Sequence, residues 1–256
     1  MIATAAFGDD PQRWPLPPAQ TAEELWLRAV VAGGQGRYAH AYADLAVVRR
    51  GHRVGRLASL AHSTEASFLR QLGRHDRARG WDGRALAVAD GDPEGCLDAL
   101  IGLAADALGV GRFAAAAAAL GRARRLLDDG SARQAVRLAW VSAELAMATG
   151  DGRTAIGHAE RAVELSGPLG SLRHRVKSEV VLAAALCSDG RLERARGVAD
   201  AALDATSRLG LVPLSWALAC LLVETGSGNH SPDQVVGIRD ASADTVRRRG
   251  GVLQDR

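Results

Sequence analysis

The chain repeats a glycine at nearly constant intervals, and this periodicity constrains its fold more than any other feature. Four copies read Gly-Arg and one reads Gly-Asp, and the five glycines are Gly36, Gly73, Gly111, Gly150 and Gly190. Successive intervals are 37, 38, 39 and 40 residues. Periods of roughly 20 to 50 residues are typical of repeat proteins, in which each unit packs on the next.

Small residues occupy fixed positions around each glycine. The position seven residues before it and the position five residues after it are alanine in all five units: Ala29, Ala66, Ala104, Ala143 and Ala183 before, and Ala41, Ala78, Ala116, Ala155 and Ala195 after. A third column, twelve residues after the glycine, holds Val48, Ala85, Ala123, Ala162 and Ala202. Alanine fills 50 of the 256 positions, but two unbroken alanine columns exceed chance agreement.

These columns predict a helix, a tight turn and a second helix in each unit. Glycine ends the first helix because it adopts the left-handed conformation that satisfies the last carbonyl groups. Small residues on either side let two antiparallel helices approach closely. Aromatic residues make up only 4% of the chain, which also favours packed helices over a β-sandwich. The sequence therefore predicts an all-α fold.

The pattern resembles the tetratricopeptide repeat (TPR), which has a small residue on its first helix, glycine at the turn and two alanines on its second helix. The match covers roughly residues 21 to 226. It departs from the family in its longer units, in the early aromatic residue, and in the terminating proline, which is only sporadic (Pro93, Pro168, Pro213). The resemblance implies a right-handed α-solenoid whose first helices line a concave surface.

We divide the chain into three parts. Residues 1–20 form a proline-rich arm around Trp14, expected to be extended; residues 21–226 form five helical pairs and a partial sixth; residues 227–256 form a C-terminal capping helix and tail. Helix N-caps are predicted at Thr21, Asp92, Ser131 and Ser231. The sixth first helix is predicted over residues 211–224, and the capping helix extends to about Arg249 and covers the apolar edge of the last unit.

Composition points to a cytoplasmic protein. The three cysteines, Cys96, Cys187 and Cys220, lie in apolar runs without metal-ligand spacing, so we expect reduced thiols and neither a metal nor a cofactor. The apolar N-terminus is not preceded by a basic region, and the longest apolar stretch, residues 211–223, is too short to cross a bilayer. Lys177 is the single lysine among 32 basic residues, a bias that favours a bacterial, high-GC source.

The sequence predicts that the protein is not an enzyme. Its glycines follow helical repeats and do not cluster after a strand, as a phosphate-binding loop requires. The seven histidines are scattered over different units. His62 and Glu65 lie one helical turn apart, but no nucleophile or metal ligand can be placed beside them. A solvated polar face explains this pair better.

The resemblance to the TPR implies that positions ten and six residues before each turn glycine face the concave surface. The first column contains three of the five tryptophans, and basic residues lie nearby. The predicted partner-binding residues are Trp26, Ile101, Arg137, Trp140, Glu144, Lys177, Val180 and Trp216. We expect a non-catalytic scaffold or adaptor, regulatory in role, that binds a peptide or protein segment there. The alternative is that these tryptophans pack between units as core.

Three further hypotheses concern the ends of the chain and its association. Residues 235–249 faintly resemble the second half of a helix-turn-helix, so the alternative function is a nucleic-acid-binding transcriptional regulator that uses the arginine-bearing tail. A net charge of +3 gives little support to nucleic-acid binding. The apolar arm is also suited to lie in the groove of its own chain or of a second copy in a homo-oligomer.

Overall fold

A computed structural model describes residues 1–128 and 130–254 of the chain, and within them it is all-α, with no strand. A short helix, α1 (Ile2–Phe7), precedes twelve longer ones. These are α2 (Ala22–Gly34), α3 (Tyr38–Gly51), α4 (Arg56–Gln71), α5 (His75–Val88), α6 (Pro93–Gly109), α7 (Phe113–Leu126), α8 (Ala132–Ala148), α9 (Gly152–Ser166), α10 (Leu172–Ser188), α11 (Leu192–Arg208), α12 (Val212–Thr225) and α13 (Pro232–Arg248).

The long helices pack as neighbouring pairs, from α2 with α3 to α12 with α13. We call the even-numbered member of each pair the first helix and the other the second helix. Each first helix also contacts the first helix of the next pair, whereas a second helix contacts mainly its own partner and the following first helix. First helices therefore lie on the inner side of the array.

The turn glycines have the backbone conformation that the spacing predicts. All five have φ between +73° and +84°, where a side chain is disfavoured. The residue after each glycine donates its N–H to a carbonyl five residues earlier, as from Arg112 to Ala107 at 2.8 Å. This bond satisfies a carbonyl at the end of the first helix. The predicted helix–turn–helix unit is confirmed in all five copies.

The alanine columns lie where the helices of a pair meet. Every residue of the three columns is at most 1% exposed. Because nearly all of these positions carry only the methyl side chain of alanine, the backbones of paired helices can approach closely. At these positions the core between paired helices therefore consists of small side chains in close contact.

Three of the four predicted N-caps are confirmed. The side chains of Thr21, Asp92 and Ser231 accept hydrogen bonds from backbone N–H groups three residues later, and Ser231 forms a reciprocal capping box with Gln234. Ser131 precedes α8, but its side chain makes no capping bond. Its hydroxyl instead donates to Asp128 at 2.6 Å, so the local turn competes with the cap.

The two ends of the chain meet at the first helical pair. Ala39 N–H donates to the carbonyl of Arg249 at 3.0 Å, and Gln254 N–H donates to the carbonyl of Leu72 at 3.0 Å. Val246 of α13 belongs to the same buried cluster as residues of α2, α3 and α4. The array therefore curves until its last pair contacts its first. Residues 255 and 256 of the predicted tail lie outside the described residues.

The N-terminal arm packs against the first pair and α10, and it is not simply extended as expected. It begins with α1, which contacts α2 and α10. Beyond α1, the carbonyl of Gly8 accepts from Leu172 N–H at 3.1 Å, and the carbonyl of Pro11 accepts from Gln35 Nε2 at 2.8 Å. Trp14 packs edge-on against His40 of α3. The arm thus bridges the first pair and α10.

None of the helices within the described ranges combines the length and the apolar character that a bilayer crossing requires.

Candidate functional site

The inner sides of the first helices line a partly open cavity of about 490 Å³. All six first helices contribute to its wall, and Phe7 of α1 adds a side chain from the arm. We call this space the central cavity. Its volume lies within the range of roughly 300 to 1,000 Å³ that is typical of ligand sites.

The structure places seven of the eight predicted partner-binding residues in the wall of the central cavity: Trp26, Ile101, Arg137, Trp140, Glu144, Lys177 and Trp216. The eighth, Val180, packs against a buried cluster formed by α10, α11, α12 and α13. Trp26 and Ile101 are only 3% and 1% exposed, so both also belong to the core.

Two tryptophans of the wall join successive first helices in the same way. Trp26 Nε1 donates to Thr64 Oγ1 at 2.9 Å, and Trp140 Nε1 donates to Ser178 Oγ at 2.8 Å. The acceptor is 38 residues ahead in both cases. These indoles therefore satisfy their polar groups within the protein and present ring surface to the cavity. Each of the two indoles thus packs between first helices, as the core alternative expects, and also lines the cavity, as the binding-surface prediction expects.

The ring of Trp140 is part of an aromatic and cationic cluster. His174 stacks on it with 5.4 Å between ring centroids, and Lys177 Nζ lies 6.0 Å from its centroid. The Nδ1 atom of His174 lies 2.9 Å from Ser171 Oγ. Burial, reinforced by the nearby charge of Arg173, holds the pKa of His174 well below its usual range. A neutral imidazole therefore packs on the indole at neutral pH.

A chain of alternating charges runs along the starts of four first helices. Glu23 and Glu94 both bind Arg56; Arg133 binds Glu94 and Asp98, with its Nη2 atom 2.9 Å and 2.6 Å from them; Asp98 also binds Arg137. This row of ion pairs contains three carboxylates and three guanidinium groups, so the formal charges of the six side chains cancel. Asp98 is buried, and the pKa of its carboxyl is lowered by the two arginines despite desolvation.

Arg173 follows this series of charges along the wall, and no carboxylate of residues 1–128 or 130–254 pairs with it. It stands 17 residues before a turn glycine, the same position that Arg56, Glu94 and Arg133 occupy in earlier units. Its Nε is buried and finds no hydrogen-bond partner among the described residues. Burial, with the charges of Arg133 and Arg137, lowers its pKa to about 10. Arg173 is therefore a cation in the wall whose charge is not matched locally.

A second buried charge cluster underlies the same wall. Arg70 binds both Asp82 and Asp106, and its Nη1 atom lies 2.9 Å from Asp106 Oδ1. Ser63 Oγ also donates to Asp82 at 2.9 Å. Burial raises the pKa of Asp106 to about 7, although Arg70 opposes this shift. The cluster ties α4, α5 and α6 together beneath the cavity.

Sequence reasoning counted Arg173 among the basic residues near the concave surface, but it missed both charge clusters and the fact that Arg173 lies outside them. When the units are aligned on the turn glycines, one column contains only charged residues: Arg56, Glu94, Arg133 and Arg173. This column is the sequence signal that points to the row of charges on the wall. Asp82 and Asp106 offered no comparable signal, because their meeting point depends on how α5 lies across α4 and α6.

His62 and Glu65 have separate partners outside the central cavity. The His62 ring packs on Trp81 with centroids 5.3 Å apart, while Glu65 binds Arg49. Burial, with the charges of Arg49 and Arg84, lowers the pKa of His62 to about 4. Glu65 and Trp81 line an outer cleft of about 430 Å³ between α3, α4 and α5. Glu65 is therefore paired with Arg49, whereas His62 Nδ1 is buried without a hydrogen-bond partner among the described residues. Both residues are half-buried, so they do not form the solvated polar face that was expected from the sequence.

The arginines of the C-terminal helix have partners in the protein. Arg247 binds Asp244 and Arg248 donates to Thr245 at 3.0 Å. Arg249 Nη1 donates to the carbonyl of Gln35 at 2.7 Å, across the junction of the two chain ends.

In the described residues, no group of three or more histidine, cysteine, aspartate or glutamate side chains has the arrangement of a metal site. Comparison of the chain with protein-family models and with curated proteins found no match.

Proposed function

We propose that this protein is a non-catalytic binding module, a TPR-like right-handed α-solenoid that holds a short peptide or protein segment in its central cavity. The observation that carries this proposal is the placement of Trp26, Trp140 and Trp216 around one cavity of about 490 Å³. Tryptophan contributes large buried areas to interfaces, and it is enriched at their energetic centres. We further propose a cytoplasmic location and a regulatory or adaptor role.

The closure of the array limits the ligand. Because the C-terminal end of the chain contacts the first pair through Gln35 and Ala39 and the second pair through Leu72, the inner surface forms the wall of a partly enclosed cavity. A short segment, or the end of a chain, fits such a space better than a long helix does.

The test is selection of binding peptides from a random heptapeptide library, followed by titration of the selected peptides. We expect Trp216→Ala and Trp140→Ala to weaken binding at least tenfold, the range of a truncated interface tryptophan. Trp81→Ala is the matched control, because Trp81 lies in the outer cleft. Circular dichroism and urea unfolding identify variants that fail to fold.

Equal loss of binding in the Trp81 variant, or unchanged binding in both cavity variants, contradicts the proposal.

The salt dependence of binding distinguishes the nucleic-acid alternative from peptide binding. Phosphate-driven binding weakens steeply as salt rises, whereas apolar contacts are much less sensitive. Binding of DNA that is lost in Arg247→Ala/Arg248→Ala and retained in the tryptophan variants would favour the alternative.

A further inference from the structure

We infer that Arg173 is an anion-binding residue of the central cavity and that it receives a carboxylate carried by an apolar group of the ligand. This inference rests on the proposed function, because it assumes that the central cavity holds a ligand. It adds the chemistry of the ligand, which the proposed function leaves open.

The first argument is the unmatched charge of Arg173. The arginines that precede it along the inner wall, Arg56 and Arg133, each bind carboxylates. Arg173 has no ion pair and no hydrogen bond within residues 1–128 and 130–254, and its Nε is buried. Arg173 is half-buried, and its Nε–H is withdrawn from water without an acceptor, which costs free energy. A ligand carboxylate would supply the missing acceptor.

The second argument is the field at this point of the wall. The charged groups that act most strongly on Arg173 are two further cations, Arg133 and Arg137, and both lower its pKa. Both of these arginines already bind the same buried carboxylate, that of Asp98. An incoming anion therefore meets three guanidinium groups and relieves the repulsion between them.

The third argument is the apolar surface beside this charge. The Arg173 guanidinium carbon lies 5.7 Å from the Phe7 ring centroid. The Phe7 ring in turn lies 5.6 Å from Trp26 and 5.9 Å from His174. Both of these rings line the cavity. The ligand that fits is therefore a carboxylate joined to an aromatic or aliphatic body.

Arginine favours carboxylates because its planar donors can bind both carboxylate oxygens. Two sources offer this chemistry: a free organic acid, or the carboxylate at the end of an apolar peptide. The probes are indole-3-acetate with its neutral amide, and an apolar tripeptide with a free or an amidated C-terminus. Binding is measured by isothermal titration and by the shift in melting temperature.

We expect at least one acid to bind at least about tenfold more tightly than its amide, because a hydrogen bond to a charged group contributes this much. Arg173→Gln abolishes the preference for the acid, and Arg173→Lys restores part of it. Arg175→Gln is the control on the same helix, since Arg175 is mostly exposed and pairs with Glu179. Each variant is first shown to unfold cooperatively in urea.

The outcomes are separable. Acid and amide binding equally, or neither acid binding, overturns the anion inference, while peptide binding that depends on Trp216 leaves the proposed function standing. If only indole-3-acetate binds and Arg173→Gln removes its advantage, the anion site stands and the peptide proposal fails. If an acid is preferred equally by wild type and Arg173→Gln, the carboxylate is bound elsewhere and the assignment to Arg173 is wrong.

Discussion

Gly102 of α6 lies directly against the carboxylate of Asp82 on α5. A Cβ atom on Gly102 would stand less than 3.0 Å from the carboxylate atoms of Asp82, closer than real Cβ atoms approach a neighbour. Asp82 cannot easily move away, because it is buried and bound by Arg70 and Ser63. The absence of a side chain at position 102 therefore allows a charged cluster to form between α4, α5 and α6.

Gly102→Ala is accordingly expected to destabilise the protein by about 1–3 kcal/mol, the usual cost of overpacking. Within a helix, glycine to alanine normally stabilises by about 0.5–1 kcal/mol. Gly157→Ala on α9 is the matched control, since a Cβ there meets nothing within 4 Å, and we expect it to show that gain. Urea unfolding measures both. A Gly102 variant as stable as the wild type would mean that the Asp82 cluster adjusts without cost.

The repeat geometry could be predicted from the sequence, whereas the arrangement of the site could be predicted only in part. Glycine and alanine columns report local backbone and close helix contacts, and these depend on spacing along the chain. Seven predicted residues reach one cavity because a helix face repeats with each unit. Val180 shares its column with Trp26, Ile101, Trp140 and Trp216. It nevertheless packs against α11 and α12, because the environment of a column changes toward the end of the array.

The contact between the two ends of the array has no counterpart in the repeat pattern of the sequence. The helix α1 has only six residues, too few to be stable alone, and it forms where it docks on α2 and α10. The contact of Arg249 with Gln35 joins residues 214 positions apart, and it follows from the accumulated curvature of six pairs. Neither feature can be deduced from one unit.

Loss of the C-terminal contact should loosen the first pair selectively. Arg249→Ala removes the 2.7 Å bond to the carbonyl of Gln35, and we expect a loss of about 1–3 kcal/mol, the range for a buried acceptor left without its charged partner. Hydrogen exchange should quicken in α2 and α3 and stay unchanged in α8 and α9. Arg247→Ala, whose partner Asp244 is one turn away on the same helix, is the control. Uniform acceleration along the chain would contradict closure as a local contact.

The arm should become accessible when its anchor is removed. Phe7 contacts Trp26 and His174 at ring distances of 5.6 Å and 5.9 Å. Phe7→Ala is therefore expected to release the arm and to speed trypsin cleavage after Arg13, which lies between α1 and α2. Thr4→Ala is the control, because Thr4 is an exposed residue of the same helix. An unchanged cleavage rate would show that the bonds from Gln35 and Leu172 hold the arm without Phe7.

Lowering the pH should reduce the free energy of unfolding, in part through protonation of His62. Its folded-state pKa is about 4, below its usual value of 6.5, so the unfolded chain binds the proton first as pH falls. The stabilisation is complete above pH 6.5 and is lost progressively between pH 6.5 and pH 4. His75, His158 and His174 have pKa values lowered in the same direction, so His62 accounts for only part of the slope.

His62→Gln isolates that part, because glutamine does not titrate. With an allowance for the partial exposure of the ring, the wild type should lose about 1–2 kcal/mol more than the variant between pH 7 and pH 4.5. Urea unfolding at several pH values measures the difference, which should be constant above pH 7. A variant whose stability falls as steeply as that of the wild type would show that His62 is protonated equally in both states. Its packing on Trp81, near the charges of Arg49 and Arg84, would then not exclude the charged form.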